Sequence, residues 1–168
     1  MRIRIENKAN AVKIADRCRE KQIGDVHFIS ITEPDDTEPV WPKLQVNGNR
    51  VLVLFFDDVD EIDSAYGRTI TREDAGRIRD FVVWLNTHAA ENDLLIVHCA
   101  AGISRSAGVA AAISEVTGWS IENAMGSDVF LDPKFCPNVL CYRTVLNELL
   151  SEFEVEDKIV LDGNGSMA

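Results

Sequence analysis

Hydrophobic and polar positions alternate along this chain in two periods, one of about two residues and one of about 3.6. Residues 2–5 alternate Arg and Ile and predict a short strand. Asn7 or Asn10 can cap a following helix that carries Val12, Ile14, Ala15 and Cys18 and ends near Gly24. Residues 25–31, DVHFISI, are apolar and β-branched enough for a buried strand. Pro34, Pro39, Pro42 and an acidic run make residues 33–42 a loop. Asn47-Gly48-Asn49 is a turn signal before residues 51–56, VLVLFF, which predict a strand buried on both faces. An acidic loop with Asp57, Asp58, Asp60, Glu61 and Asp63 then reaches to about Gly67. Thr71 with Asp74 predicts a capped helix with Ala75, Ile78, Val82, Leu85 and Ala89 at core-facing spacing. Residues 94–97, LLIV, predict the last strand, and residues 105–117 a helix that stops at Gly118. A short helix is expected from residue 120 to about 125. Pro137 suits the first turn of a final helix burying Val139, Tyr142, Leu146, Leu149 and Phe153.

Alternating strands and helices imply a single α/β domain, with a mostly parallel sheet of about four or five strands and helices on both faces. The domain is expected over residues 1–153, with residues 154–168 as a frayed C-terminal tail. In such sheets ligands bind beyond the carboxyl ends of the strands. Asp57-Asp58 and Cys99 each follow a predicted strand directly, so both loops open on one edge if those strands are neighbours.

Composition narrows the class of partner. The chain has 168 residues, 46% hydrophobic and 27% charged, with a net charge of −11. Such acidity argues against nucleic-acid and anionic-membrane surfaces, which call for basic patches. No segment approaches the ~18 apolar residues of a membrane span, and the first residues, MRIRIE, do not read as a signal peptide. A cytoplasmic location is the expectation. Cys18, Cys99, Cys136 and Cys141 form no CxxC pair, and His27, His88 and His98 are scattered, so neither a metal nor a cofactor is expected. Cys18 and Cys141 read as buried small apolar side chains.

The candidate chemistry lies in residues 94–108, LLIVHCAAGISRSAG, a strand, a small-residue turn and a helix start. Unpaired backbone N–H groups at a helix N-terminus make a cradle for an anion. Ala100, Ala101, Gly102, Ile103 and Ser104 form that cradle, with Cys99 at its start and Arg105 at its end. The amides and the guanidinium favour thiolate, the reactive form of cysteine. Arg105 offers a planar fork that holds two oxygens of a phosphate at once. Gly102 lets the loop curl without a Cβ. Ser106 sets a hydroxyl near the sulfur, where it can steady a departing thiolate. His98 points to the other side of the strand and reads as a buried residue that hydrogen-bonds the loop, not as a base.

These residues resemble the HCxxGxxR[ST] motif of the cysteine-dependent protein tyrosine phosphatases, matched at every specified position by HCAAGISRS, residues 98–106. The chain length is similar to the compact dual-specificity branch. The resemblance covers roughly residues 51–153 and includes Pro137-Asn138 at the entry to the final helix. It implies a phosphatase fold and a two-step reaction through phosphocysteine on Cys99. A carboxylate on a separate loop then serves as general acid and afterwards as base for the hydrolytic water. Counting from Phe56 selects Asp58 for that role, whereas alternation from Phe55 selects Asp57; Asp58 is preferred.

Relatives that act on phosphoinositides carry Lys or Arg inside the cradle, where this chain has Ala100, Ala101 and Ile103. With the acidic loop, this disfavours highly anionic substrates. The expected partner is a phosphorylated protein or peptide, phosphotyrosine first and then phosphoserine or phosphothreonine; the sequence does not address oligomeric state. Three other readings compete: a phospho-residue binding module without turnover, a phosphatase of a non-protein monoester, and a sulfur-transfer or redox enzyme built on the same C-x5-R.

Overall fold

A computed structural model of the chain describes residues 1–62, 65, 67–125 and 128–163, with side chains as far as Phe153. Asp63 of the acidic loop lies outside the described residues. The elements are β1 (Arg2–Asn7), α1 (Lys8–Lys21), β2 (Val26–Thr32), α2 (Trp41–Leu44), β3 (Val51–Phe55), α3 (Arg72–His88), β4 (Leu94–Cys99), α4 (Arg105–Thr117), β5 (Ser120–Ile121) and α5 (Val139–Gly163). The five strands lie in the order β3-β2-β4-β1-β5, and every pairing is parallel. The predicted single α/β domain is therefore observed.

Central position explains the apolar run of β4. It is flanked by β1 and β2, and its residues from Leu95 onward are buried. Packed on one face are Ala11, Ala15 and Cys18 of α1 with Leu44 of α2. On the other are Ala75, Ile78, Val82 and Leu85 of α3, Ala107, Val109, Ala110 and Ile113 of α4, and Cys141, Val145 and Leu149 of α5. Removing such aliphatic area from water is worth about 25 cal/mol per Å² and is the main force holding the layers together.

Five expectations need correction. β3 is an edge strand, so Leu52 and Leu54 are buried while Phe55 is 38% exposed; burial on both faces was an over-reading of an unbroken apolar run. The segment expected as a loop ends in the short helix α2, which begins at Trp41 with Pro42 in its first turn, where a missing N–H costs nothing. Residues 120–125 are not helical: Ser120 and Ile121 pair with Arg2 and Ile3 of β1, and a turn follows. Helix α1 ends at Lys21 with Gln22 in the left-handed cap position, short of Gly24. Finally, α5 starts at Val139, just after Pro137, and buries Cys141, Val145 and Leu149, while Val139 is 44% exposed. Its backbone continues past Phe153, where the tail was expected to begin, to Gly163.

Because the sheet is parallel, β1, β2, β3 and β4 deliver Asn7, Glu33, Phe56 and Cys99 to the same edge. β3 and β4 are not neighbours, since β2 separates them. Parallel direction alone brings their loops together.

Candidate active site

The cradle is tied to the fold from two sides. Asn7 pairs with Cys99 in register, and Lys8 N donates to Ala100 O at 3.2 Å. Cys136 N and Asn138 N donate to Ile103 O and Ser104 O, each at 3.1 Å, so the segment entering α5 straps the far side. At the bend Gly102 has φ of 70°, a left-handed value, and a Cβ there would sit 2.5 Å from the Glu6 carbonyl carbon. No side chain fits, so glycine is required both for the turn and for the close approach to β1. Gly108 on α4 similarly lets Asn138 O approach, since a Cβ would lie 2.5 Å from it.

Cys99 is 2% exposed at the base of the cradle. Its Sγ receives the Gly102 N–H at 3.3 Å and lies 3.2 Å from Ser106 Oγ. Arg105, 3% exposed, is held by two contacts: Nη1 donates to Phe56 O at 2.8 Å, and Nη2 pairs with the Glu33 carboxylate. Its Nε is buried and has no partner among the described residues. A buried guanidinium N–H left over at the end of an amide-lined cradle calls for an acceptor from outside.

The two predicted carboxylates part company. Asp58 reaches the cradle: its Oδ1 accepts from Ser104 Oγ at 2.7 Å and from Asn138 Nδ2 at 2.9 Å, and the same amide donates to Val59 O at 3.0 Å. Asp57 turns to the base of its own loop, where Oδ2 accepts from Arg68 N at 2.7 Å and its N–H donates to Arg68 O at 2.8 Å. Asp57 thus closes the base of the acidic loop, and Asp58, the next residue, turns to the cradle.

His98 behaves as a buried structural residue. Its ring bonds Ser30 Oγ of β2 at 2.8 Å and approaches Cys99 O at 3.4 Å. Burial, reinforced by the charges of Lys8 and Arg105, pushes its pKa down to about 4, so the ring is neutral around physiological pH. Cys141 lies in the core beneath α4. Burial, and next the charge of Asp58, push its pKa up to about 12, leaving an inert thiol.

The structure brings together Cys99, Ala100, Ala101, Gly102, Ile103, Ser104, Arg105, Ser106, Asp58 and Asn138 in one place. It leaves Asp57 outside. Glu33 and Ser30 went unrecognised in the sequence. Glu33 carried one usable signal, as the first carboxylate after a predicted strand whose carboxyl end shares the edge.

No family model and no curated protein matches this chain. Solved structures do match. The human tyrosine phosphatase-like serine/threonine/tyrosine-interacting protein superposes with a TM-score of 0.54 at 20% identity, covering 94% of this chain and 91% of its own. The PTP-2 phosphatase of Cydia pomonella gives 0.51 at 17%, covering 82% and 79%. PTPMT1 gives 0.52 at 20%, covering 88% and 89%. The chain therefore shares the fold of these phosphatase-type structures, a single α/β domain built on a parallel sheet.

Proposed function

We propose that this chain is a phosphatase of phosphate monoesters on proteins, phosphotyrosine foremost, with phosphoserine and phosphothreonine as further substrates. One observation carries the reading: a buried Cys99 sulfur receiving a backbone N–H, in the same cradle as a buried Arg105 whose Nε has no partner among the described residues. A dianionic phosphoryl group supplies the acceptor that Arg105 Nε lacks. Preorganised donors of this kind stabilise the equatorial oxygens as the trigonal phosphoryl develops.

In the first step the Cys99 thiolate attacks phosphorus as the bond to the leaving oxygen breaks. That oxygen takes the proton from Asp58, and phosphocysteine results. In the second step water attacks phosphorus and gives a proton to Asp58, while the S–P bond breaks and the Ser106 hydroxyl hydrogen-bonds the departing thiolate. Ser104 and Asn138 hold Asp58 against the cradle, and Glu33 and Phe56 O aim the Arg105 fork. His98 neither gives nor takes a proton.

Binding without turnover is the second reading. It draws on the two hydrogen bonds that already occupy Asp58 Oδ1, and on a fold neighbour whose name describes a phosphatase-like interacting protein. Hydrolysis of p-nitrophenyl phosphate with a chelator present, from about pH 5 to about pH 8, separates them. The phosphatase reading expects turnover that Cys99→Ser abolishes. No turnover, with vanadate still bound tightly, would overturn it.

A further inference from the structure

Beside the cradle runs a groove of about 700 Å³ that the proposed reaction does not use. Ala9 and Val12 of α1 form one side, and Ala100 and Ala101 of the cradle form the other. Lys8 and Lys13 are its charged side chains, and among the described residues no carboxylate lines it. Lys8 is paired with Asp36 at 2.6 Å, which leaves Lys13 as the cation that faces solvent. Helix α1 also opens here with its positive end, and its first turn holds no acidic residue. In a chain of net charge −11, this is an unusual place.

We infer that the groove is a specificity site of the proposed phosphatase: it receives an apolar side chain adjoining the phosphorylated residue of a peptide, with an acidic neighbour set toward Lys13. The inference rests on the proposed function and extends it. Ala100 and Ala101 belong to the cradle and the groove at once, so the two sites are contiguous. Consecutive Cα atoms are about 3.8 Å apart, so a phospho-residue seated over Cys99 brings the next one or two side chains into the groove. Against the methyl and isopropyl groups of Ala9, Val12, Ala100 and Ala101 an apolar side chain gives up no hydrogen bond, whereas a polar one does. The lysine charge selects acidic over basic neighbours. An acyl chain fits less well. The groove's apolar lining is five small side chains, Ala9, Val12, Val40, Ala100 and Ala101, so a lipid tail laid here runs beyond it into water while a single side chain does not.

The test compares kcat/KM for two phosphotyrosine peptides, each divided by the value for p-nitrophenyl phosphate, which is too short to reach the groove. One peptide carries Leu and Glu on both sides of the phosphotyrosine, the other Gly and Lys. The wild-type protein is expected to prefer the first by about tenfold, the factor that burying part of one apolar side chain supplies. Lys13→Glu and Ala9→Trp, both at exposed positions, are each expected to remove most of that preference. Equal use of the peptides by a protein that hydrolyses p-nitrophenyl phosphate overturns the groove and leaves the phosphatase reading intact. A preference that both variants retain also overturns it. So does hydrolysis of a short-chain phosphatidic acid that Ala9→Trp suppresses while the peptides are used equally. Peptide binding to the Cys99→Ser protein, followed by fluorescence anisotropy, reads the same preference independently of turnover.

Discussion

The Asp58 carboxylate lies 2.7 Å from the Ser104 hydroxyl, and this one hydrogen bond joins the acidic loop after β3 to the cradle after β4. Asn138 donates to the same oxygen from the entry of α5. Both bonds fall on Oδ1, which leaves Oδ2 to carry the proton in the proposed first step. Asp57, one residue earlier, is committed to Arg68.

Asp58→Asn is therefore expected to slow hydrolysis of phenyl or alkyl phosphates about 100-fold, the usual range for removing a general acid. The loss in kcat/KM, which reports the first step, should be far smaller for p-nitrophenyl phosphate, whose leaving group needs little help. Asp57→Asn should leave that dependence on the leaving group unchanged and lower stability by about 1 kcal/mol, through a weakened bond to Arg68 N. A leaving-group series on both variants checks the assignment.

Cys99→Ser should abolish turnover while vanadate still binds. Arg105→Lys should lose binding and rate together, because an ammonium replaces a planar fork. Glu33→Gln removes the charge that holds Arg105 Nη2, so KM should rise several-fold. Isothermal titration with vanadate, alongside initial rates, distinguishes the three.

Gly102→Ala forces a Cβ into the Glu6 backbone and a left-handed φ onto alanine. The conformational cost alone is about 1–2 kcal/mol, and the clash adds to it. Urea unfolding should show a loss of about 2 kcal/mol or more, together with weaker vanadate binding.

His98 yields a pH prediction with a definite sign. Its folded pKa of about 4 lies below the ordinary histidine value of 6.5, so the unfolded chain binds the proton more readily. Its contribution to stability is present above about pH 6.5 and is lost as pH falls toward 4. The full effect is about 3 kcal/mol. Urea midpoints measured between these pH values should flatten in His98→Gln relative to the parent protein.

The local features were legible in the sequence. Thr71 and Asp74 form the reciprocal capping box expected of them, and Gly118 ends α4 in the left-handed conformation. The strand–turn–helix around Cys99 was readable for the same reason: its geometry is set by neighbouring residues. What depends on distant partners was not. The edge position of β3 and the pairing of β5 with β1 follow from the strand order, which no local pattern encodes. The rotation of α5 depends on Glu148 being buried against Arg72 and Arg79 of α3. Glu33 reaches Arg105 only because β2 lies between β3 and β4.

The most direct test of the proposed reaction is to trap its intermediate. Cys99 peptides are recovered after rapid acid quench of the Asp58→Asn protein turning over p-nitrophenyl phosphate, a variant in which the second step is slowed. Mass spectrometry is expected to find one phosphoryl group on Cys99 and none in the Cys99→Ser control. Turnover with Cys99 unmodified and phosphate incorporated nowhere in the chain would contradict the account.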